Sequence, residues 1–162
     1  MSRRLGVALT SVVVAVNLWS SNPVLAKSTD VTIVNGRAPF HRYTPVSIAP
    51  GFFQSVCPTA LLTVPAGKTM VIEFMTLFGV NNIPTPGMFA TVTTTAGGIS
   101  VDYIFALAPA GANILGQPVY TATVSTKLYA DGGTAVNACI SRGSDVDGGG
   151  INFSVSGYLI DP

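Results

Sequence analysis

Charge is scarce in this sequence. Lys, Arg, Asp and Glu together make up 9% of the 162 residues, where soluble domains usually carry about 25%. There is one histidine, His41, one glutamate, Glu73, two cysteines, Cys57 and Cys139, and one tryptophan, Trp19. Each shortage excludes something. A serine hydrolase needs a Ser–His pair with a carboxylate to orient the ring. His41 is the sole base for one, and no G-x-S-x-G elbow appears, since "GISVD" at 98–102 lacks the final Gly. A catalytic zinc site takes more His and Cys ligands than the chain can spare. No G-x-G-x-x-G opens a helix, and no Walker A loop is present. The balance of bases and acids is near neutral, which leaves no basic footprint for nucleic acid.

Long apolar runs are also few, and the clearest lies at the start. Arg3 and Arg4 precede "LGVALTSVVVAVNLW", and "SSNPVLA" then places Val24 and Ala26 three residues and one residue before a cleavage point. That is the layout of a secretory signal peptide over residues 1–26. The apolar run is short for a membrane helix of ~20 residues and contains Asn17. No later segment is long and apolar enough to cross a membrane as a helix. The expected location is extracellular or periplasmic. Residues 27–162 then form one domain, with six Lys and Arg against seven Asp and Glu and no tryptophan. Its surface must be built from Thr, Ser, Asn, Gly and backbone.

What is present reads as strands. In "VYTATVSTKLYA", Tyr120, Ala122, Val124, Thr126 and Leu128 share one face, with Thr121, Thr123, Ser125 and Lys127 on the other. "INFSVSGYLI" and "ISVDYIFAL" alternate in the same way. Alternation at period 2 means one buried face and one wet face. "TMVIEFMTLF" is apolar on both phases, which predicts a central strand covered on both sides. "VTIV", "FFQSVC", "ALLTV", "MFATVTTT" and "TAVNACIS" complete the set. "VPAGK" and "YADGGT" are tight connections, and "NNIPTPG" and "APAGANILGQP" are longer loops. The expectation is all-β: an antiparallel, jelly-roll-like β-sandwich of eight or nine strands. An eight-stranded membrane barrel is the structural rival, but such a barrel carries its apolar face outward and a polar lumen. "FSVSGYLI" resembles the final strand of C1q- and TNF-like jelly rolls, a common β pattern that assigns no family but makes a trimer one form of assembly to test.

Two cysteines in an exported chain predict one disulfide, Cys57–Cys139. "PFHRYTP" is the most unusual loop, with Pro39 and Pro45 bracing Phe40, His41, Arg42 and Tyr43. Proline reduces the entropy lost on binding, and aromatic and Arg side chains suit recognition. These four residues are therefore candidates for ligand binding, the alternative being that their aromatics pack into the sandwich. Without tryptophan, a sugar platform would use Tyr43, Tyr103, Tyr120, Tyr129 or Tyr158. Glu73 sits mid-strand, either as a buried acid or as a charge paired with Lys127 or Arg142 or reaching solvent at an edge.

"SDVDGGG" has two readings. Asp145 and Asp147, with Asp131 as a third oxygen if the loops converge, could hold Ca2+. The residues do not complete an EF-hand pattern, because Gly149 and Ser156 stand where oxygen ligands belong. The other reading is a plain turn, since Asp and Gly are turn formers. No other cofactor is expected. The sequence thus points to a secreted, non-catalytic β-sandwich with a binding or structural role at the cell exterior. A carbohydrate-binding module is the first alternative, and a small hydrolase using Glu73 or Asp102 is the second. The expected partners are an extracellular glycan or further copies of the chain.

Overall fold

In the computed structural model, the residues described are 36–54, 57, 59–84, 87–144 and 146–161. The leader over 1–26, the "VTIV" segment and Asp145 lie outside them. The described residues form eight strands: β1 Arg37–Ile48, β2 Thr59–Thr63, β3 Thr69–Asn81, β4 Met88–Ala96, β5 Ile99–Ala112, β6 Pro118–Ala130, β7 Ala135–Arg142 and β8 Gly149–Ile160. Their spatial order is β1-β8-β3-β6-β5-β4-β7-β2, and every pairing is antiparallel.

β5 divides this order in two. Ile99 to Leu107 pairs with β4, while Ala108, Pro109 and Ala112 pair with β6. The result is one four-stranded sheet, β1-β8-β3-β6, facing another, β5-β4-β7-β2. This is the interleaved connectivity of a jelly roll, which limits free edges by folding two Greek keys over each other. Between the sheets lie Val46, Met75, Leu77 and Phe153 from the first, and Leu61, Met88, Val92 and Ile140 from the second, all buried. An apolar interior is the reverse of a membrane barrel's polar lumen. Among the described residues no helix is long and apolar enough to cross a membrane.

Four sequence expectations need correction. "PFHRYTP" is not a loop but most of β1, with Phe40 turned inward onto the core. Proline is tolerated there because, among the described residues, β1 is an edge strand paired with β8 alone. Pro39 and Pro45 are an even number of residues apart, so both missing N–H groups fall on the same side of the strand. The described residues of "FFQSVC" form no strand: Gln54 makes an isolated bridge to Ser141, and Phe52 and Phe53 are both exposed. "APAGANILGQP" is mostly strand, since β5 runs to Ala112 and the loop is confined to 113–117.

The largest surprise is in β3. Its two apolar phases do not imply cover on both sides. The register against both neighbours shifts between Ile72 and Phe74. Relative to β8, Glu73 is an extra residue, so the phase of the strand flips. Met70 and Ile72 face the core before the bulge, and Met75 and Leu77 face it afterwards. The flip leaves Phe74 and Phe78 on the outer face, exposed. At the same bulge Gly157 of β8 passes so close to β3 that a Cβ would stand 1.9 Å from the Val71 carbonyl oxygen. Only glycine fits there.

Thr94 of β4 points into the core, and its Oγ1 has no hydrogen-bond partner among the described residues. A buried, unbonded hydroxyl costs about 1–3 kcal/mol. Thr94→Val has the same shape and no hydroxyl. It is expected to raise stability by about 1 kcal/mol, read as a higher urea midpoint at unchanged slope.

Candidate functional site

The outer face of the β1-β8-β3-β6 sheet brings together residues that lie far apart in sequence. The registers set them in rows across four strands. One row is Tyr43, Ser154, Thr76 and Thr123. The next is His41, Ser156, Phe74 and Ser125, and on the other side lies Pro45, Asn152, Phe78 and Thr121. A further row, past the bulge, holds Pro39, Tyr158, Val71 and Tyr129. Alternation places these side chains outward because their neighbours are the core residues. Tyr43 is 56% exposed, and Phe74, Phe78 and Tyr129 are exposed as well. No Lys, Arg, Asp or Glu stands in these rows. Aromatic faces are set among hydroxyl and amide groups.

The bulge lies within this face, between the His41 row and the Pro39 row. β6 carries one residue more than β3 at this level, so Thr126 and Lys127 stand opposite Glu73. Bulges bend a strand and re-aim its side chains. Here Glu73, Phe74, Ser125, Thr126 and Lys127 line an open hollow of about 490 Å³. Glu73 therefore shares its hollow with Lys127, whereas Arg142, the other base named for it, lies at the far end of the sandwich.

The four residues singled out in β1 separate. His41 and Tyr43 are on the outer face, Phe40 is packed inward, and Arg42, on the inward phase, is exposed at the edge. His41 Nε2 stands 3.4 Å from Ser154 Oγ. Among the described residues no carboxylate is hydrogen-bonded to His41. Ser154 lies on β8, whose ladders to β1 and β3 run along both sides, so its backbone N–H groups are not free to stabilise an oxyanion. Glu73 and Asp102 do not form a pair either. Glu73 is in the first sheet, and Asp102 is on the outside of the second, where it accepts a 2.6 Å hydrogen bond from Thr93 Oγ1.

Of the aspartates considered for calcium, Asp145 lies outside the described residues, and Asp131 and Asp147 are not brought together. Asp131 follows β6, at the end where Ala130 pairs with Met70. Its carboxylate accepts the N–H groups of Gly97 and Gly98 at 3.1 and 2.9 Å, clasping the β4–β5 turn. Asp147 lies beside Asn82, just past the other end of β3. The length of β3 separates them, roughly 40 Å at strand rise. Among the described residues, no three His, Cys, Asp or Glu side chains are grouped as metal ligands.

Asp147 has a local task. Its Oδ1 accepts Asn82 Nδ2–H at 3.1 Å and Gly148 N–H at 2.7 Å. The Asn82 amide first, and the Gly148 N–H next, hold its carboxyl below the usual aspartate value. A lowered folded value means stability that is present above the unfolded value of about 3.9 and lost as pH falls through the folded one. Asp147→Asn is therefore expected to unfold at a lower temperature than the parent at neutral pH, with the gap closing below about pH 4.

Cys57 and Cys139 are joined by a disulfide, with a Cα–Cα distance of 5.3 Å. Cys139 is on β7, on the phase opposite the core residues Ala138 and Ile140. The bond ties the chain entering the short edge strand β2 to the strand that β2 pairs with.

Arg142, named from the sequence only as a possible partner for Glu73, has a different role. Arg142 is 4% exposed. Its guanidinium donates from Nη1 to Asn81 Oδ1 at 2.8 Å, from Nη2 to the carbonyls of Ala49 and Phe52, and from Nε to Phe52. Its backbone N–H donates to the Phe53 carbonyl. Gly149 lies against this node, where a Cβ would meet Asn81 Oδ1 at 2.3 Å. The signal was available: Val136, Ala138, Ile140 and Arg142 share one phase of β7, so Arg142 had to point inward.

Fold and surface define an eight-stranded jelly roll with an aromatic-bearing outer face on which charge is confined to Glu73 and Lys127 at the bulge and to Arg37 over the Tyr158 ring. No protein-family model matches the chain, and no curated protein matches it. Among solved structures it is similar to a chain in the cryo-EM structure of the virus-like particle of extra small virus from the giant freshwater prawn Macrobrachium rosenbergii. That match has 10% identity and a TM-score of 0.34, over 99% of this chain and 97% of that one. A likeness at this level carries no inference about what this chain does.

Proposed function

We propose that the protein is an exported, non-catalytic jelly-roll domain with a binding or structural role at the cell exterior. The outer face of the β1-β8-β3-β6 sheet is its working surface. The observation behind this reading is that face itself: Tyr43, Phe74 and Phe78 are exposed across three rows that contain no Lys, Arg, Asp or Glu. Aromatic side chains bring large contact area at low entropy cost, and the absence of charge removes a desolvation penalty. The absence of catalysis is supported by the lack, among the described residues, of a carboxylate hydrogen-bonded to His41 and by the separation of Glu73 from Asp102.

A glycan is the second reading. It is favoured by the interleaving of Tyr43, Phe74 and Phe78 with Ser154, Ser156, Thr121 and Asn152, since sugars stack on flat rings and hydrogen-bond through hydroxyls. One experiment serves both readings. Lys27–Pro162, oxidised, is examined by sedimentation velocity over a dilution series and by retention on insoluble polysaccharides. Tyr43→Ser/Phe78→Ser is expected to abolish whichever behaviour the parent shows. A parent that is monomeric throughout and unretained, or a variant that behaves like it, overturns the role of this face.

A further inference from the structure

A second surface lies at one end of the sandwich, apart from the sheet face. β1, β3 and β7 end there and β4, β6 and β8 begin there, so the connections β1–β2, β3–β4, β5–β6 and β7–β8 cluster together. Their described residues expose Phe52, Phe53, Ile114, Leu115 and Val146. Ile114 is 101% exposed and Leu115 75%. These are aliphatic side chains at the tip of a hairpin, touching nothing that would explain their presence in water.

The tip is built to leave water. Asn113 N–H donates to the Gln117 carbonyl, and Gly116 N–H to the Asn113 carbonyl, both at 2.9 Å. Asn113 Oδ1 accepts the N–H groups of Leu115 and Gln117. Most of the backbone donors of the turn are therefore satisfied within it, which lowers the cost of bringing the tip from water to an apolar boundary. The loop is also braced. Asn113 Nδ2 donates to Gln117 Oε1, Gln117 Nε2 to Asn82 Oδ1, and Asn82 Nδ2 to Asp147. Asn82 N–H donates to the Gly148 carbonyl, and Gly143 N–H to the Gly87 carbonyl. Three of the four connections are tied into one rigid end, so little ordering entropy remains to oppose insertion.

We propose that this end inserts into the surface of a zwitterionic lipid bilayer, with Ile114 and Leu115 as the leading side chains and Phe52, Phe53 and Val146 beside them. Shape and charge select that occupant. The side chains project from loop tips, so a soft phase can surround them where a second rigid copy would have to offer a matching pocket. The loops contain no Lys, Arg or His, and their charged residues are aspartates. The one nearby guanidinium, Arg142, is buried and bonded to carbonyls. Such an end gains nothing from anionic headgroups. Its affinity must come from apolar area, with Asn82, Asn113 and Gln117 at headgroup depth.

The test is flotation of oxidised Lys27–Pro162, which contains the whole core and lacks the apolar leader, with phosphatidylcholine vesicles. The parent is expected to float, with no gain when phosphatidylserine is added and no loss at high salt. Ile114→Ser/Leu115→Ser removes two apolar anchors worth about 1.5 kcal/mol or more each. It should lower the partition coefficient roughly 100-fold at an unchanged thermal midpoint, because both residues are exposed. Ile99→Ser, at the opposite end, should float like the parent. The proposal falls if the parent stays in solution, if both variants float equally well, or if binding requires phosphatidylserine. It also falls if the parent is a dimer that Ile114→Ser/Leu115→Ser dissociates, which would make this end a contact between copies.

Discussion

Replacing Cys57 and Cys139 together with serine is expected to lower the stability of the domain by about 4 kcal/mol. The bond spans 82 residues, and these hold β2 through β6 and the first half of β7. Cross-linking such a loop removes a large share of the unfolded chain's freedom, and small domains have only 5–15 kcal/mol in total. The Cys57 end needs the bond most. Its partner strand β2 has five residues and a register shift between Ala60 and Leu62, so its ladder to β7 is short. Urea unfolding of the oxidised protein, the reduced protein and the double-serine variant checks this. The reduced and double-serine forms should share a midpoint well below the oxidised one, with a steeper slope because the freed unfolded chain exposes more surface. A midpoint unchanged by reduction would mean that the unfolded ensemble already keeps the loop closed.

Arg142→Ala is expected to cost about 3 kcal/mol. Among the described residues no carboxylate is bonded to the buried guanidinium, and its charge is held by carbonyl dipoles and Asn81. Removing it leaves Asn81 Oδ1 with no donor at a fully buried site, and an orphaned buried group costs about 1–3 kcal/mol. It also releases the Ala49 and Phe52 carbonyls and removes the packed stem. Arg142→Met separates these contributions. If the cost of burying the ion dominated, Met would match the parent, as hydrophobic replacements of buried ions often do. Asn81 and two carbonyls still lose their donor, so Met is expected to fall between Ala and the parent. Proteolysis should then begin at the Ala49–Gln54 stretch, which Arg142 holds at its middle. Cleavage elsewhere first would show that other contacts anchor this connection.

The candidate surface was only partly legible in the sequence. Tyr43 and His41 stood out as unusual residues, but their place on an outward sheet face depends on β1 being a strand, which Pro39 and Pro45 concealed. Phe74 and Phe78 read as core residues in a strand with two apolar phases. The bulge at Glu73 decides otherwise: the two apolar phases were the trace of its phase flip, and in the sequence that trace is the same as cover on both sides. Asp131 and Asp147 stand close in sequence, but the length of β3 lies between them. The apolar end was invisible for a similar reason: Phe52, Ile114 and Val146 lie on different connections, and only the interleaved topology gathers them.

By itself the sequence determined the all-β class, the alternation of β5, β6 and β8, the jelly-roll-like sandwich and the Cys57–Cys139 bond. These follow from local physics: a period-2 pattern records which face is buried, and turn residues record where the chain reverses. Strand order, register and the bulge were decided only in the tertiary structure, because they depend on which backbones pair at long range. Register then fixed which side chains share a row, where Arg142 found its acceptors, and which exposed aromatics and aliphatics form surfaces.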